Sequence, residues 1–151
     1  MFNFDYVWMK HAIKLAKLAE KNGEVPVGAV LVLDRKIIGS GYNKSICNYD
    51  PTSHAEILAL REGGKKIKNY RLLETTLYVT LKPCMMCLGA IINGRVKRLV
   101  YGASNTKIDV LYNFLYKYKE KNTTSSLQIK KGVFSYICKH IILNFFKKKR
   151  I

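Results

Sequence analysis

The sequence lacks any apolar run near the roughly 18 residues that a membrane-spanning helix needs. Its longest, of about nine residues from Val25 to Leu33, is interrupted by Pro26 and Gly28. A membrane span is therefore not expected. The N-terminus also lacks the basic-then-apolar layout of a signal peptide, since Asp5 and Lys10 interrupt it. The expected location is the cytoplasm. Cysteine is scarce, with four in 151 residues. Cys84 and Cys87 form a Cys-x-x-Cys pair and Cys47 and Cys138 lie far away, which suits a metal site better than a disulfide framework. Acidic residues are scarce as well. Ten Asp and Glu stand against 27 Lys and Arg, for a net charge of +17. That excess points to an anionic partner such as nucleic acid or a membrane surface, although an AT-rich coding bias would also enrich Lys, Ile, Asn and Tyr.

What is present reads as one domain over residues 1–151, with no internal repeat and no interdomain linker. Met9, Ala12, Ile13, Ala16 and Ala19 recur at helical spacing and predict a helix over 5–22. Residues 27–33 and 36–42 read as strands joined by an Asp34-Arg35 turn. A polar loop over 43–52 leads to a helix over 53–62, closed by Gly63-Gly64. Residues 76–81 form a third strand. Pro83 suits the first position of a helix over 84–92. A fourth strand over 97–101, a fifth over 127–131 and a last helix over 133–149 complete the series. That helix carries Phe134, Ile137, Cys138, Ile141, Ile142 and Phe145 on one stripe. Alternating strands and helices predict an α/β fold.

The chemistry lies in His54-Ala55-Glu56 and Pro83-Cys84-Met85-Met86-Cys87. A catalytic zinc typically has three protein ligands and one position left for water. His54, Cys84 and Cys87 supply that count, and residues 84 and 87 share a helix face. The first turn of a helix favours thiolates, the form a metal binds. Glu56 is an acid-base group placed to move protons between water, a ring nitrogen and a leaving amine. The order His-x-Glu followed by Pro-Cys-x-x-Cys is the signature of zinc-dependent nucleobase deaminases. Other readings exist for each piece. Ser53 to Glu56 has the form of a helix capping box. The cysteine pair could belong to a closed four-ligand site, with Cys47 as the fourth ligand. Cys138 reads as core, and His11 and His140 as ordinary helix residues.

Longer stretches carry a resemblance. Residues 24–30 (Glu-Val-Pro-Val-Gly-Ala-Val), 50–56 (Asp-Pro-Thr-Ser-His-Ala-Glu), 69–72 (Asn-Tyr-Arg-Leu), 76–81 (Thr-Leu-Tyr-Val-Thr-Leu) and 83–87 look like the bacterial tRNA-specific adenosine deaminases, a branch of the cytidine deaminase superfamily. The match runs from about Tyr6 to Gly102 and returns near Phe145-Phe146. The resemblance implies a three-layer α/β/α sandwich around a five-stranded mixed sheet. It implies one Zn2+ per subunit on His54, Cys84 and Cys87, with Glu56 as the proton shuttle. Asn43 would hydrogen-bond the target base, and Val27, Ala55 and Leu81 would line its pocket. Family members are homodimers that convert the wobble adenosine of a tRNA-Arg anticodon loop to inosine. The chain departs from the family at Lys82, where Glu is usual, and at Asn105, where Asp is usual. The family's glycine-rich stretch after that point is replaced by a segment containing Tyr112, Tyr116 and Tyr118. Asn105 is expected to contact RNA near the target, and Lys147 to Arg150 to meet its backbone. Two other readings remain at this point: a deaminase of free guanine, cytosine or dCMP, and a non-catalytic RNA-binding relic.

Overall fold

The computed structural model describes residues 3–104 and 127–150, with residues 113, 115 and 117. Asn105, Tyr112, Tyr116 and Tyr118 lie outside the described residues. The elements run α1 (Phe4–Lys21), β1 (Gly28–Leu33), β2 (Lys36–Tyr42), α2 (Ala55–Ile67), β3 (Thr76–Leu81), α3 (Met85–Asn93), β4 (Arg98–Ala103), β5 (Gln128–Lys131) and α4 (Ser135–Lys149). The five strands form one mixed sheet in the order β2-β1-β3-β4-β5. β1 is antiparallel to both β2 and β3, whereas β3, β4 and β5 are mutually parallel. The predicted α/β/α sandwich is the observed fold.

The alternation of strand side chains builds the two cores. Ala29, Leu31, Leu77, Val79, Leu99 and Tyr101 point to one face, where Ala59 and Leu60 of α2 and Leu88 and Ile91 of α3 cover them. Val30, Val32, Tyr78 and Val100 point to the other, under Met9, Ala12 and Ile13 of α1 and Cys138 of α4. Asp34 and Arg35 both have positive φ, 49° and 59°, the geometry of the two-residue hairpin turn that matches strand twist.

Three local expectations need correction. Gly63-Gly64 does not end α2, which continues to Ile67 and stops at Lys68 in a left-handed conformation. Gly63 is instead a packing glycine: a Cβ there would collide with Leu31 of the sheet. Pro83 does not open α3, because Cys84 is the N-cap and Met85 the first helical residue. The apolar stripe of α4 is narrower than its sequence suggests. Cys138, Ile142 and Phe145 are buried, whereas Ile137 is exposed.

Asp5 is legible in the sequence only as a break in an apolar stretch, yet it ties the two ends of the chain together. Its carboxylate accepts hydrogen bonds from Arg98 Nη1 and Nη2 at 2.7 and 2.8 Å, Tyr78 Oη at 2.9 Å and Lys130 Nζ at 2.7 Å. The start of α1 is thereby pinned to β3, β4 and β5. The bidentate Arg98 contact holds the Asp5 carboxyl well below the usual range, outweighing the opposing effect of burial. A depressed carboxyl pKa adds stability above the unfolded value near 4, and this is lost as pH falls. Asp5→Asn should cost about 1.5–3 kcal/mol at neutral pH, since it weakens charge-assisted bonds to Arg98 and Lys130, whose side chains stay partly open to solvent. The loss should shrink as pH falls below about 4, and urea titrations at pH 7 and pH 3 measure both parts.

Candidate active site

One end of the sheet collects the site. β3 ends at Leu81 and leads through Pro83 into α3, and β2 ends at Tyr42. Because β1 runs antiparallel to both neighbours, its start lies at the same end, where Gly28 N donates to Thr80 Oγ1 at 3.2 Å. Hydrogen bonds draw together the residues expected to line the pocket. Asn43 N donates to Val27 O at 3.2 Å. Asn43 Oδ1 accepts from Ala55 N at 2.9 Å. A side chain from the end of β2 therefore caps the first turn of α2. Val27, Ala55 and Asn43 are buried and Leu81 half-buried.

This arrangement replaces the capping box. Ser53 does not cap α2, because its hydroxyl donates to Asp50 Oδ2 at 2.8 Å. The N-cap residue is His54, whose side chain makes no capping bond. Cys84, the N-cap of α3, makes none either. Relieved of capping, both side chains turn toward one point. His54 Nδ1 lies 3.7 Å from Cys84 Sγ and 3.5 Å from Cys87 Sγ. All three ligand atoms fall within 4.8 Å of one another.

Those separations fit zinc. Zn–N near 2.0–2.1 Å and Zn–S near 2.3 Å at a tetrahedral angle place N and S roughly 3.6 Å apart. The donor set, one imidazole and two thiols, is the set zinc favours. Cys47 is exposed and is not part of the cluster among the described residues, so it is not the fourth ligand of a closed site. Cys138 is a core residue, and burial pushes its thiol up to about 12. His11 lies tilted beside Trp8 and His140 edge-on to Tyr136, at 5.9 and 4.1 Å between ring centroids.

Glu56 is only 4% exposed and follows one residue after the start of α2. Burial pushes its carboxyl above the usual range, against the pull of a hydrogen bond with Cys87. Burial, then the nearby Glu56 charge, likewise pushes the Cys87 thiol far up. A divalent cation held here would oppose both shifts, because it would favour the thiolate and the carboxylate together. Around this centre, Met85 and Met86 are exposed while Cys87 is fully buried.

Comparison with known proteins places this geometry. A family model for MafB19-like deaminases matches residues 4–150. The tRNA-specific adenosine deaminase of Buchnera aphidicola subsp. Schizaphis graminum is 56% identical over 150 residues, spanning 98% of this chain and 97% of that protein. The chain belongs to the tRNA-specific adenosine deaminase family. The Haemophilus influenzae tRNA-specific adenosine deaminase is 50% identical over 148 residues, spanning 97% of this deaminase and 86% of its relative. A structure solved in studies of A-to-I editing by tRNA:A34 deaminases superposes with a TM-score of 0.81 at 34% identity, covering 89% of this chain and 97% of that one. A guanine deaminase from Nitrosomonas europaea shares the fold, with a TM-score of 0.78 at 19% identity over 93% of this chain and 83% of that one.

Proposed function

We propose that this deaminase hydrolyses the wobble adenosine of a tRNA-Arg anticodon loop to inosine, using one Zn2+ per subunit held by His54, Cys84 and Cys87. The observation that carries the reading is the pair of N···S separations, 3.5 and 3.7 Å, beside a buried Glu56. When bound, the ion supplies Lewis acidity toward a water molecule at neutral pH. Glu56 accepts a proton from the attacking water and delivers it to N1 of the purine. It next takes the proton of the hydroxyl now on C6 and passes it to the exocyclic nitrogen, so that the C6–N bond breaks as C6=O forms. Water and adenosine are thus converted to inosine and ammonia. The burial of Glu56 suits these transfers, because it keeps bulk water away from the proton being moved.

Asn43 recognises the base. Its carbonyl oxygen is committed to Ala55 N, which leaves its amide as the group to donate to the purine. Val27, Ala55 and Leu81 form the apolar walls. Of the family's RNA contacts, Asn105 is carried here only by resemblance. A single-stranded loop lets the adenosine leave its stack at low cost. No described helix is long and apolar enough to cross a membrane, and a cytoplasmic site of action follows from the tRNA substrate.

A homodimer is part of the proposal. Gly89 lies in the middle of α3, is exposed, and would meet nothing within 4 Å if it carried a Cβ. An exposed mid-helix glycine costs about 1 kcal/mol relative to alanine, and close approach of a second copy gives it a purpose. The exposed Met85 and Met86 extend the same surface.

The discriminating experiment compares rates on an anticodon stem-loop with rates on free guanine, cytosine and dCMP. Turnover confined to the stem-loop supports the tRNA reading, and turnover confined to a free base replaces it. Activity on none of them, with zinc bound, would leave the RNA-binding relic.

Lys147, Lys148 and Lys149 are exposed at the end of α4, as is Arg150 after it. Truncation after Phe146 should weaken stem-loop binding. It should also flatten the plot of log K against log salt by roughly 0.7 for each phosphate that the shortened chain no longer neutralises. An unchanged slope returns these cations to the helix end, where positive charge is favourable without any ligand.

A further inference from the structure

The loop over residues 44–50 connects Asn43 to the segment that ends at His54, and it is held from both sides. Lys44 N donates to Ser53 O at 2.9 Å, Asn48 N to Lys44 O at 2.8 Å and Asp50 N to Ser45 O at 3.0 Å. Asn48 Nδ2 reaches Ser53 Oγ at 3.2 Å. The carboxylate of Asp50 accepts from Thr52 N and Oγ1 and from Ser53 Oγ. From the opposite side comes Glu24, only 2% exposed. One of its oxygens accepts from Cys47 N at 2.8 Å and the other from Ile46 N at 3.2 Å. A buried carboxylate committed to two loop amides is more support than a surface turn ordinarily receives.

What the loop displays is equally unusual. Tyr49 is 95% exposed and Ile46 65%. Tyr49 also has a φ of 48°, a left-handed conformation that favours glycine or asparagine over a bulky side chain. The ring gains no packing in return. At the base of the loop, Lys44 sets its ammonium 4.6 Å over the ring of Tyr42. A well-supported loop with an exposed aromatic ring, and a cation at its base, are the ingredients of a single-stranded nucleic-acid platform.

We propose that Tyr49, on the loop clamped by Glu24, stacks against an unpaired RNA base adjoining the target adenosine. The inference rests on the RNA-deaminase reading and adds a specificity element to it. Stacking tolerates any base, because every base has a π-face, so the contact sets affinity and register more than sequence. Glu24 is a positioning residue that acts through the Ile46 and Cys47 amides.

The test uses zinc-loaded full-length enzyme on an anticodon stem-loop carrying 2-aminopurine at either flank of the target. Tyr49→Asn suits the left-handed backbone and removes the ring. It should raise KM about tenfold with little change in kcat, abolish the 2-aminopurine quenching, and leave the thermal midpoint unchanged or higher. Tyr49→Phe keeps the ring and should restore both KM and quenching. Glu24→Gln places an amide N–H against one of the loop amides and should raise KM in the same direction while the zinc content holds. Unchanged KM and quenching in Tyr49→Asn would overturn the proposal. So would a change in molecular mass without a change in RNA affinity, which would assign the ring to a protein contact. A wild-type enzyme inactive on every RNA would end the RNA-deaminase reading itself. That is a different outcome from an active wild type whose KM ignores position 49.

Discussion

Glu56→Gln should bind its zinc, keep its fold and lose deamination by at least about 10²–10⁴-fold. Glutamine has nearly the same shape but can neither take a proton from water nor hand one to the leaving amine. The change should also stabilise the metal-free protein at neutral pH. The sign follows from burial, which raises the Glu56 carboxyl pKa in the folded state. A group shifted in that direction favours folding below its unfolded pKa and opposes it as pH rises. A neutral amide removes the opposition. The capping-box reading makes the contrary forecast, with stability falling on replacement and activity persisting. Thermal unfolding of metal-free protein and a single-turnover assay of loaded protein separate the two. Gained stability together with abolished turnover is the mark of a functional group that the fold tolerates rather than needs.

Cys87→Ser should lose most of its zinc and with it nearly all activity. Cys87 is fully buried, close to both His54 and Glu56. A serine hydroxyl does not ionise under conditions where a thiol beside a cation does, so one of three ligands is removed outright. Metal analysis after exhaustive dialysis should fall from about one zinc per chain to a small fraction of it. Cys47→Ser is the control and should keep a full complement, since Cys47 is exposed and outside the cluster. Acidification should act in the same direction as Cys87→Ser. The ligands bind as thiolates and neutral imidazole, so zinc affinity should fall as pH drops and protons should be released on binding. A zinc-replete Cys87→Ser variant would remove this residue from the ligand set.

The sequence is most informative where chemistry or periodicity is local. β2 and β3 fall at the expected residues because apolar strand patterns and flanking turns mark their ends. Donor type and spacing alone pair His54 with Cys84 and Cys87, and their side chains do converge. Distance in the chain hides the rest. Asn43 caps α2 from twelve residues away, so a local capping box at Ser53 is the natural expectation. Gly63 looks like a helix stop until Leu31 is seen against it. The bonds of Asp5 to Arg98 and Lys130 span 93 and 125 positions, and no local pattern announces them. Glu24 lies in a stretch that carries the family resemblance, but its grip on Ile46 and Cys47 emerges only when β1 and the loop after β2 are brought together. An exposed residue such as Tyr49 has no periodic signal at all.

Wobble deamination is tested most directly by the identity of one nucleoside. An anticodon stem-loop with adenosine at the wobble position is incubated with zinc-loaded enzyme, digested to nucleosides and resolved by mass spectrometry. Inosine should appear at that position, with one ammonia released per inosine formed, and neither product should come from Glu56→Gln. Adenosine left intact in the RNA while the same preparation deaminates a free nucleobase would contradict the proposed function.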